Sequence, residues 1–158
     1  MKKGNLKKRS LLPDPKFNDP LVSRFVNNLM KNGKKNLAYN IFYGAMKIVK
    51  ERNENKDKNE LEIWKQALTN IMPHVEVRSR RVGGSTFQIP RQISPYRKIS
   101  IAMKWLICYS RKRNEKSMSD NLAAEIIAAS KEEGLAVKKR IDTHKMAESN
   151  KAFSHFRF

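Results

Sequence analysis

Residues 75–92 read "VEVRSRRVGGSTFQIPRQ", and the reading of this stretch decides the fold. Val75, Val77, Val82, Phe87 and Ile89 favour extended backbone, and Gly83-Gly84 suits a two-residue turn that needs positive φ at both positions. With the turn there, Val82 faces Ser85, Arg81 faces Thr86, Arg80 faces Phe87, Arg78 faces Ile89 and Glu76 faces Arg91. The resulting hairpin arm extends on the order of 25 Å at about 3.3 Å per residue. Both of its faces carry arginine. Arg78, Arg80 and Arg81 repel one another beside the turn, so their charge is expected to be relieved from outside the chain. A groove lined with phosphate fits, because guanidinium forks match phosphate oxygens better than ammonium groups do. Phe87 is read first as an anchor for the root of the arm, with stacking on a base as the alternative.

Outward from the hairpin the pattern is helical. Toward the N-terminus, residues 1–18 read as an extended basic arm, because Pro13, Pro15 and Pro20 discourage helix. Asp19 can cap a first helix, Pro20 suits its first position and Gly33 its stop, with Leu21, Val22, Phe25, Val26, Leu29 and Met30 on one stripe. A second helix spans about Lys35 to Arg52, with Leu37, Ala38, Ile41, Phe42, Ala45, Ile48 and Val49 on its buried side. After the polar linker "NENKDKNE", a third runs from about Glu60 to Met72 on Leu61, Trp64, Leu68 and Ile71, and Pro73 ends it. Beyond the hairpin, a fourth helix covers about Tyr96 to Arg111. A fifth follows the Ser117-to-Asp120 capping pattern with Leu122, Ala123, Ile126 and Ile127, and a sixth runs from Leu135 to about Phe153 after Gly134. The fold class expected is mainly α: a single domain, 19–158, of about six helices with one protruding β-hairpin at about 75–92 between helices three and four.

The 158 residues carry 34 Lys plus Arg against 15 Asp plus Glu, a formal net charge of +19. A chain of this length can bury roughly 68–70% of its unfolded surface, enough for a core without metals or disulfides. Self-repulsion on this scale calls for a polyanionic partner, nucleic acid first and an anionic membrane surface second. The charge is unevenly spread: Val77 to Asn114 holds ten basic residues and no acid, while Glu51 to Glu62 holds five of the acids. The acidic segment is expected to face water or protein. The N-terminal arm, the hairpin and the Arg111–Arg113 loop are expected to face phosphate.

Other chemistry is thin. The single cysteine, Cys108, lies in the apolar run "AMKWLICYS" and is expected to be a buried, inert thiol in a reducing compartment. His74, His144 and His155 lack metal-ligand spacing, so no metal and no cofactor is expected. "RVGGST" lacks the Gly-Lys-Ser/Thr of a nucleotide-hydrolase loop. Ser85 and Thr86 have no base at a recognisable spacing, and Glu132-Glu133 is assigned to a helix start. No catalytic constellation emerges, which argues against an enzyme. The basic N-terminus has no apolar stretch of a secretory signal, and nothing reaches the ~18 apolar residues a membrane span needs. A DNA-binding helix-turn-helix regulator would concentrate its basic residues on one helix and usually dimerise, whereas here they are spread over arm, hairpin, loop and last helix.

Three segments, "LLPDPKFNDPLVSRFVNNLMKNGKK", "VEVRSRRVGGSTFQIP" and "AVKKRIDTHKMAESNKAFSHFRF", closely resemble the bacterial-type small-subunit ribosomal protein seven family, and the resemblance covers Leu11 to Phe158. It implies six helices with a β-hairpin arm between the third and fourth. It also implies a structural, non-enzymatic role: primary binding to the 3′ major domain of small-subunit rRNA and nucleation of head assembly. The implied place is the subunit interface near the decoding centre, with the arm close to exit-site tRNA and the last helix near the mRNA exit path. Small-subunit ribosomal proteins nine and eleven are the implied protein neighbours. Cytoplasmic ribosomes of a bacterium are the implied location, with an organelle-encoded origin as the second reading, one copy of the chain rather than a homo-oligomer, and no membrane.

Carried onto this chain, the resemblance places rRNA contacts on Lys16 of "DPKFNDP", on Lys34 and Lys35 of "NGKK", and on Arg78, Arg80, Arg81, Gly83 and Gly84 of the arm. It adds Arg111, Lys112, Arg113 and Lys116 of "RKRNEKSM", and Lys138, Lys139 and Arg140 of "VKKR". The charge map extends the expected rRNA-binding set to Lys2, Lys3, Lys7, Lys8 and Arg9 in the N-terminal arm and to Arg91, Arg97 and Lys98 beside the hairpin. His144 and Lys145 are left without an assigned contact. The linker "ERNENKDKNE" is longer and richer in Lys and Asn than is common in the family. The chain ends soon after "FSHFRF", as in shorter members.

Overall fold

The computed structural model describes residues 11–52 and 59–156. Its elements are α1 (Pro20–Leu29), α2 (Lys35–Arg52), α3 (Glu60–Ile71), β1 (Val75–Val82), β2 (Ser85–Gln92), α4 (Pro95–Ser110), α5 (Met118–Ser130), α6 (Leu135–Ser149) and a closing 3₁₀ turn, Lys151–Phe156. Six α-helices with a two-stranded hairpin between the third and fourth are the architecture read from the sequence. The chain divides into two compact units, Met1–Asn40 and Ile41–Phe158, with the boundary inside α2.

In the first unit, Asp14 is buried and organises the turn that precedes α1. Its carboxylate accepts from the N–H of Lys16 at 3.1 Å and of Phe17 at 2.9 Å, and its carbonyl accepts from Asn18 N–H at 2.8 Å. Residues 14–19 are therefore a closed turn rather than the extended backbone expected of this segment. Asp19 caps α1 by accepting from Leu21 N–H at 2.8 Å, and Pro20 follows as the first helical residue. The helix stops at Leu29, short of Gly33, because Met30 is extended and Asn32 and Gly33 both take positive φ to reverse the chain. Val22, Phe25, Val26 and Leu29 form its buried stripe. On α2 the buried stripe is Ala38, Phe42, Ala45, Met46 and Val49; Leu37 falls off its edge and is exposed.

The second unit is built on α5, which packs against α3 and α4, with α6 alongside. Phe42 and Met46 of α2, Trp64, Leu68 and Ile71 of α3, Met103 and Leu106 of α4, and Leu122 and Ile126 of α5 are among its large buried side chains. Each contributes about 1.5–3 kcal/mol relative to exposure. Phe42 meets Trp64 edge-on, ring centroids 5.5 Å apart. Polar groups fix the approach of α3 to α5: Asn70 Nδ2 donates to the carbonyls of Ala129 at 2.9 Å and Ser130 at 3.2 Å, which satisfies the end of α5.

Where α5 turns into α6, a buried acid does the work of a cap. Glu125 faces inward on α5, and its Oε1 accepts from the N–H of Ala136 at 2.9 Å, near the start of α6. The residue at the cap position, Gly134, has no side chain to offer. Its φ of +93° and the 3.0 Å that a Cβ would leave to Glu125 Oε1 require glycine there. Glu132 and Glu133 lie in the turn before Gly134, so the first turn of α6 contains no acid, contrary to the assignment of that pair to a helix start. Ser117 caps α5 as expected, accepting from Asp120 N–H at 3.2 Å.

Candidate nucleic-acid interface

The hairpin pairs in the expected register, Arg81 with Thr86, Arg80 with Phe87, Arg78 with Ile89 and Glu76 with Arg91. Gly83 and Gly84 take φ of +57° and +88°, and no atom lies within 4 Å of a Cβ at either, so backbone conformation alone demands glycine. Arg80 and Arg81 are exposed toward the tip, on opposite faces, and Arg91 is exposed on the second strand. A two-stranded ribbon is marginal in water by itself. This one is held at its root: Ile89, Pro90 and Ile93 are buried, and the Phe87 ring lies 5.1 Å from that of Phe153 in the 3₁₀ turn. Phe87 is thus the anchor of the root. The root gains more from the body than two charged faces would suggest.

Charge relief at the root comes from within the chain, which corrects the expectation that it comes wholly from outside. Glu76, only 14% exposed in its side chain, accepts from Arg78 Nε at 2.7 Å and from Arg97 Nε at 2.8 Å. This acid stands next to the acid-free span and joins β1 to the first turn of α4. Arg78 and Arg97 are thus paired at the root, while Arg80 and Arg81 lie nearer the tip on opposite faces.

Beside this pair, two histidines join the root to the last helix. The rings of His74 and His144 stack with centroids 5.8 Å apart, and His74 N–H donates to His144 Nε2 at 3.1 Å. Lys98 Nζ lies 3.4 Å from His74 Nδ1. Burial first, then His74 and Arg140, hold the His144 imidazole below its ordinary 6.5. A neutral ring is what the contact needs, since Nε2 must accept.

The loop after α4 places Arg111, Lys112 and Lys116 on the surface, with Lys112 Nζ 5.0 Å from the centroid of the Tyr109 ring. Arg113 is different. It turns inward, 26% exposed, and donates through Nε at 2.6 Å to the second oxygen of Glu125, which is fully buried. Arg113 therefore braces the α5–α6 junction through Nε while part of its side chain stays exposed. Lys138 is exposed and Lys139 and Arg140 are half-buried on the first turns of α6. In the first unit, Lys16, Lys34 and Lys35 are exposed; Lys16 lies over the ring of Phe17 and Lys35 over that of Tyr39. Lys2, Lys3, Lys7, Lys8 and Arg9 lie outside the described residues.

Two features of α4 escaped the sequence reading. Cys108 is exposed, not buried. The apolar run around it is one helix face, Ala102, Met103, Leu106 and Ile107, and Cys108 falls on the other. That outer face also presents Arg97, Lys104 and, just past its end, Lys112, all exposed, at seven- to eight-residue steps or every second turn, which adds Lys104 to the basic surface. The signal was available in the spacing. Among the described residues no group of His, Cys, Asp and Glu could hold a metal ion, and no helix is long and apolar enough to cross a membrane.

Comparison with known proteins supplies an independent constraint. Residues 1–151 match the family described as ribosomal protein S7p/S5e. The chain is 69% identical over 158 residues to the small ribosomal subunit protein uS7 of Flavobacterium psychrophilum, covering 100% of both chains. It is 70% identical to the protein of that name from Christiangramia forsetii and 61% to that from Cytophaga hutchinsonii, again over 100% of each.

Proposed function

From the premise that this chain belongs to the ribosomal protein S7p/S5e family and is a structural, non-enzymatic component of the small ribosomal subunit, we propose that it is a primary rRNA-binding protein of the subunit head. It binds the 3′ major domain of small-subunit rRNA and nucleates assembly of the head. It lies at the subunit interface near the decoding centre, with its arm toward exit-site tRNA and its last helix toward the mRNA path. Ribosomal proteins nine and eleven are its neighbours, and it acts as a single copy in cytoplasmic ribosomes.

The observation that supports this reading best is the arm. Its root is anchored by Ile89, Phe87 and the Glu76 ion pairs, while Arg80 and Arg81 are carried outward on opposite faces of the tip. A charged ribbon held rigidly at one end is suited to entering a phosphate-lined groove. Affinity then comes from phosphate neutralisation with release of counterions, and selectivity from the shape of a folded junction. The lysines of the turn before α1 and of the start of α2 add exposed charge in the first unit. The test is a filter-binding competition among the rRNA head junction, duplex DNA and unrelated RNA at physiological salt. Preference for the junction is expected; equal affinity for all three refutes the proposal.

A further inference from the structure

The contact between the hairpin root and the last helix has a role that the proposed rRNA binding leaves unassigned. We infer that His144 is a positioning residue of the arm, a proton-sensitive latch that adds to the apolar anchor of the root while its ring is neutral and lets the root loosen on α6 in acid. The inference goes beyond rRNA binding and can be tested without RNA.

The geometry assigns the role. His74 is the residue that leads into β1, and its backbone N–H is satisfied by a side chain from α6, His144 Nε2 at 3.1 Å. The stacked rings add a second contact at the same joint. A proton on Nε2 would turn the acceptor into a donor facing a donor, and the hydrogen bond would be lost rather than weakened. The surroundings then act against the charged ring. From α4, Lys98 lies at 3.4 Å from His74 Nδ1. From α6 itself, Arg140 adds positive charge. Among the described residues no acid forms an ion pair with either ring, although α6 itself carries Asp142 and, one turn beyond His144, Glu148. Glu76 of β1 is taken by Arg78 and Arg97 and has Arg91 opposite it on β2. Glu125 of α5 is taken by Arg113 and by Ala136 N–H at the far end of α6. The acids of α3, Glu60 and Glu62, sit in its first turn, away from the last turn that leads to His74. The lowered proton affinity of His144 agrees with this arrangement.

The sign follows. The latch contributes fully above about pH 6.5, the ordinary value, and is lost as pH falls through the lowered value of the folded protein. The arm's own arginines stay charged throughout, so acid changes the seat of the arm and not its charge.

The experiment uses the full chain. Spin labels on the native, exposed Cys108 of α4 and on Thr86→Cys near the tip report the arm-to-body distance distribution from pH 7.5 to 5. Amide exchange at His74 reports the latch bond, as protection relative to the intrinsic rate at each pH. In the parent chain, acid should broaden the distribution and lower His74 protection by about fivefold to tenfold, the effect of losing one net hydrogen bond. In His144→Gln, whose amide oxygen can accept but does not titrate in this range, both readouts should stay flat. A parent chain whose distribution and protection do not change with pH overturns the inference. So does a His144→Gln variant that loosens in parallel with the parent.

Discussion

Arg113 and Glu125 meet at 2.6 Å with the carboxylate wholly inside the second unit, and the same carboxylate holds the start of α6 through Ala136 N–H. One buried acid thereby ties the α4–α5 loop to the last helix. Removing one member of a buried pair leaves the other uncompensated, which costs about 3–5 kcal/mol. Because Arg113 keeps some exposure, Glu125→Ala should fall at the lower end, about 3 kcal/mol, measured by urea unfolding. Glu125→Gln should cost less, since its amide oxygen can still accept from Ala136 N–H. Gly134→Ala should be destabilising by about 2 kcal/mol, from backbone strain at φ +93° together with the 3.0 Å approach to Glu125. A Gly134→Ala protein as stable as the parent would show that the junction tolerates displacement of the carboxylate.

The turn of the arm makes a different demand. Nothing crowds Gly83 or Gly84, so only their positive φ matters. Gly83→Asn should be nearly neutral, because Asn visits the left-handed region readily, whereas Gly83→Val should cost about 1–2 kcal/mol. The damage should be confined to amide protection in the arm, leaving exchange in α3 and α5 unchanged. Loss of protection throughout the second unit would mean that the arm folds cooperatively with the body.

The hairpin register was legible because two glycines fix the turn and side-chain alternation fixes everything after it. The first, second, third and fifth helices were legible because each carries an apolar stripe at three- and four-residue steps, and the sixth because Gly134 marks its start. Charge pairing was harder to read, because it depends on distance in space. Glu76 and Arg97 are far apart in sequence and meet only once β2 has returned the chain to α4. Glu125 did leave a trace: it shares a helical face with Leu122, Ile126 and Ala129, an acid on an apolar stripe that had to find a partner. Cys108 was misplaced because a short apolar run was taken whole, when on a helix only the residues at three- and four-residue steps within it can face the core.

The division of the arm's arginines can be measured. Arg80→Ala with Arg81→Ala should weaken binding to the rRNA junction and lower the slope of log affinity against log salt by up to about two. Arg113→Ala should leave that slope unchanged at temperatures where the variant is folded, because its guanidinium is turned inward onto Glu125 through Nε. An unchanged slope for the Arg80/Arg81 double variant would remove the tip from phosphate contact and leave it to face another partner. A reduced slope for Arg113→Ala would mean that RNA draws the side chain out of its buried pair.

Cys108 offers a reporter for the outer face of α4. In the folded protein it should react with a neutral alkylating reagent at close to the rate of the unfolded chain, since it is exposed. A neutral reagent is needed because Arg97, Lys104 and Lys112 share the face and would draw in an anionic one. If that basic stripe lies against rRNA, adding the head junction should slow the reaction by about an order of magnitude, as burial under a folded RNA excludes reagent. The Lys104→Ala variant should then bind more weakly and show a smaller salt slope, by up to about one. Alkylation that proceeds equally fast with and without the RNA, together with an unaltered slope for Lys104→Ala, would take the outer face of α4 out of the interface and leave the arm and the loops as its binding elements.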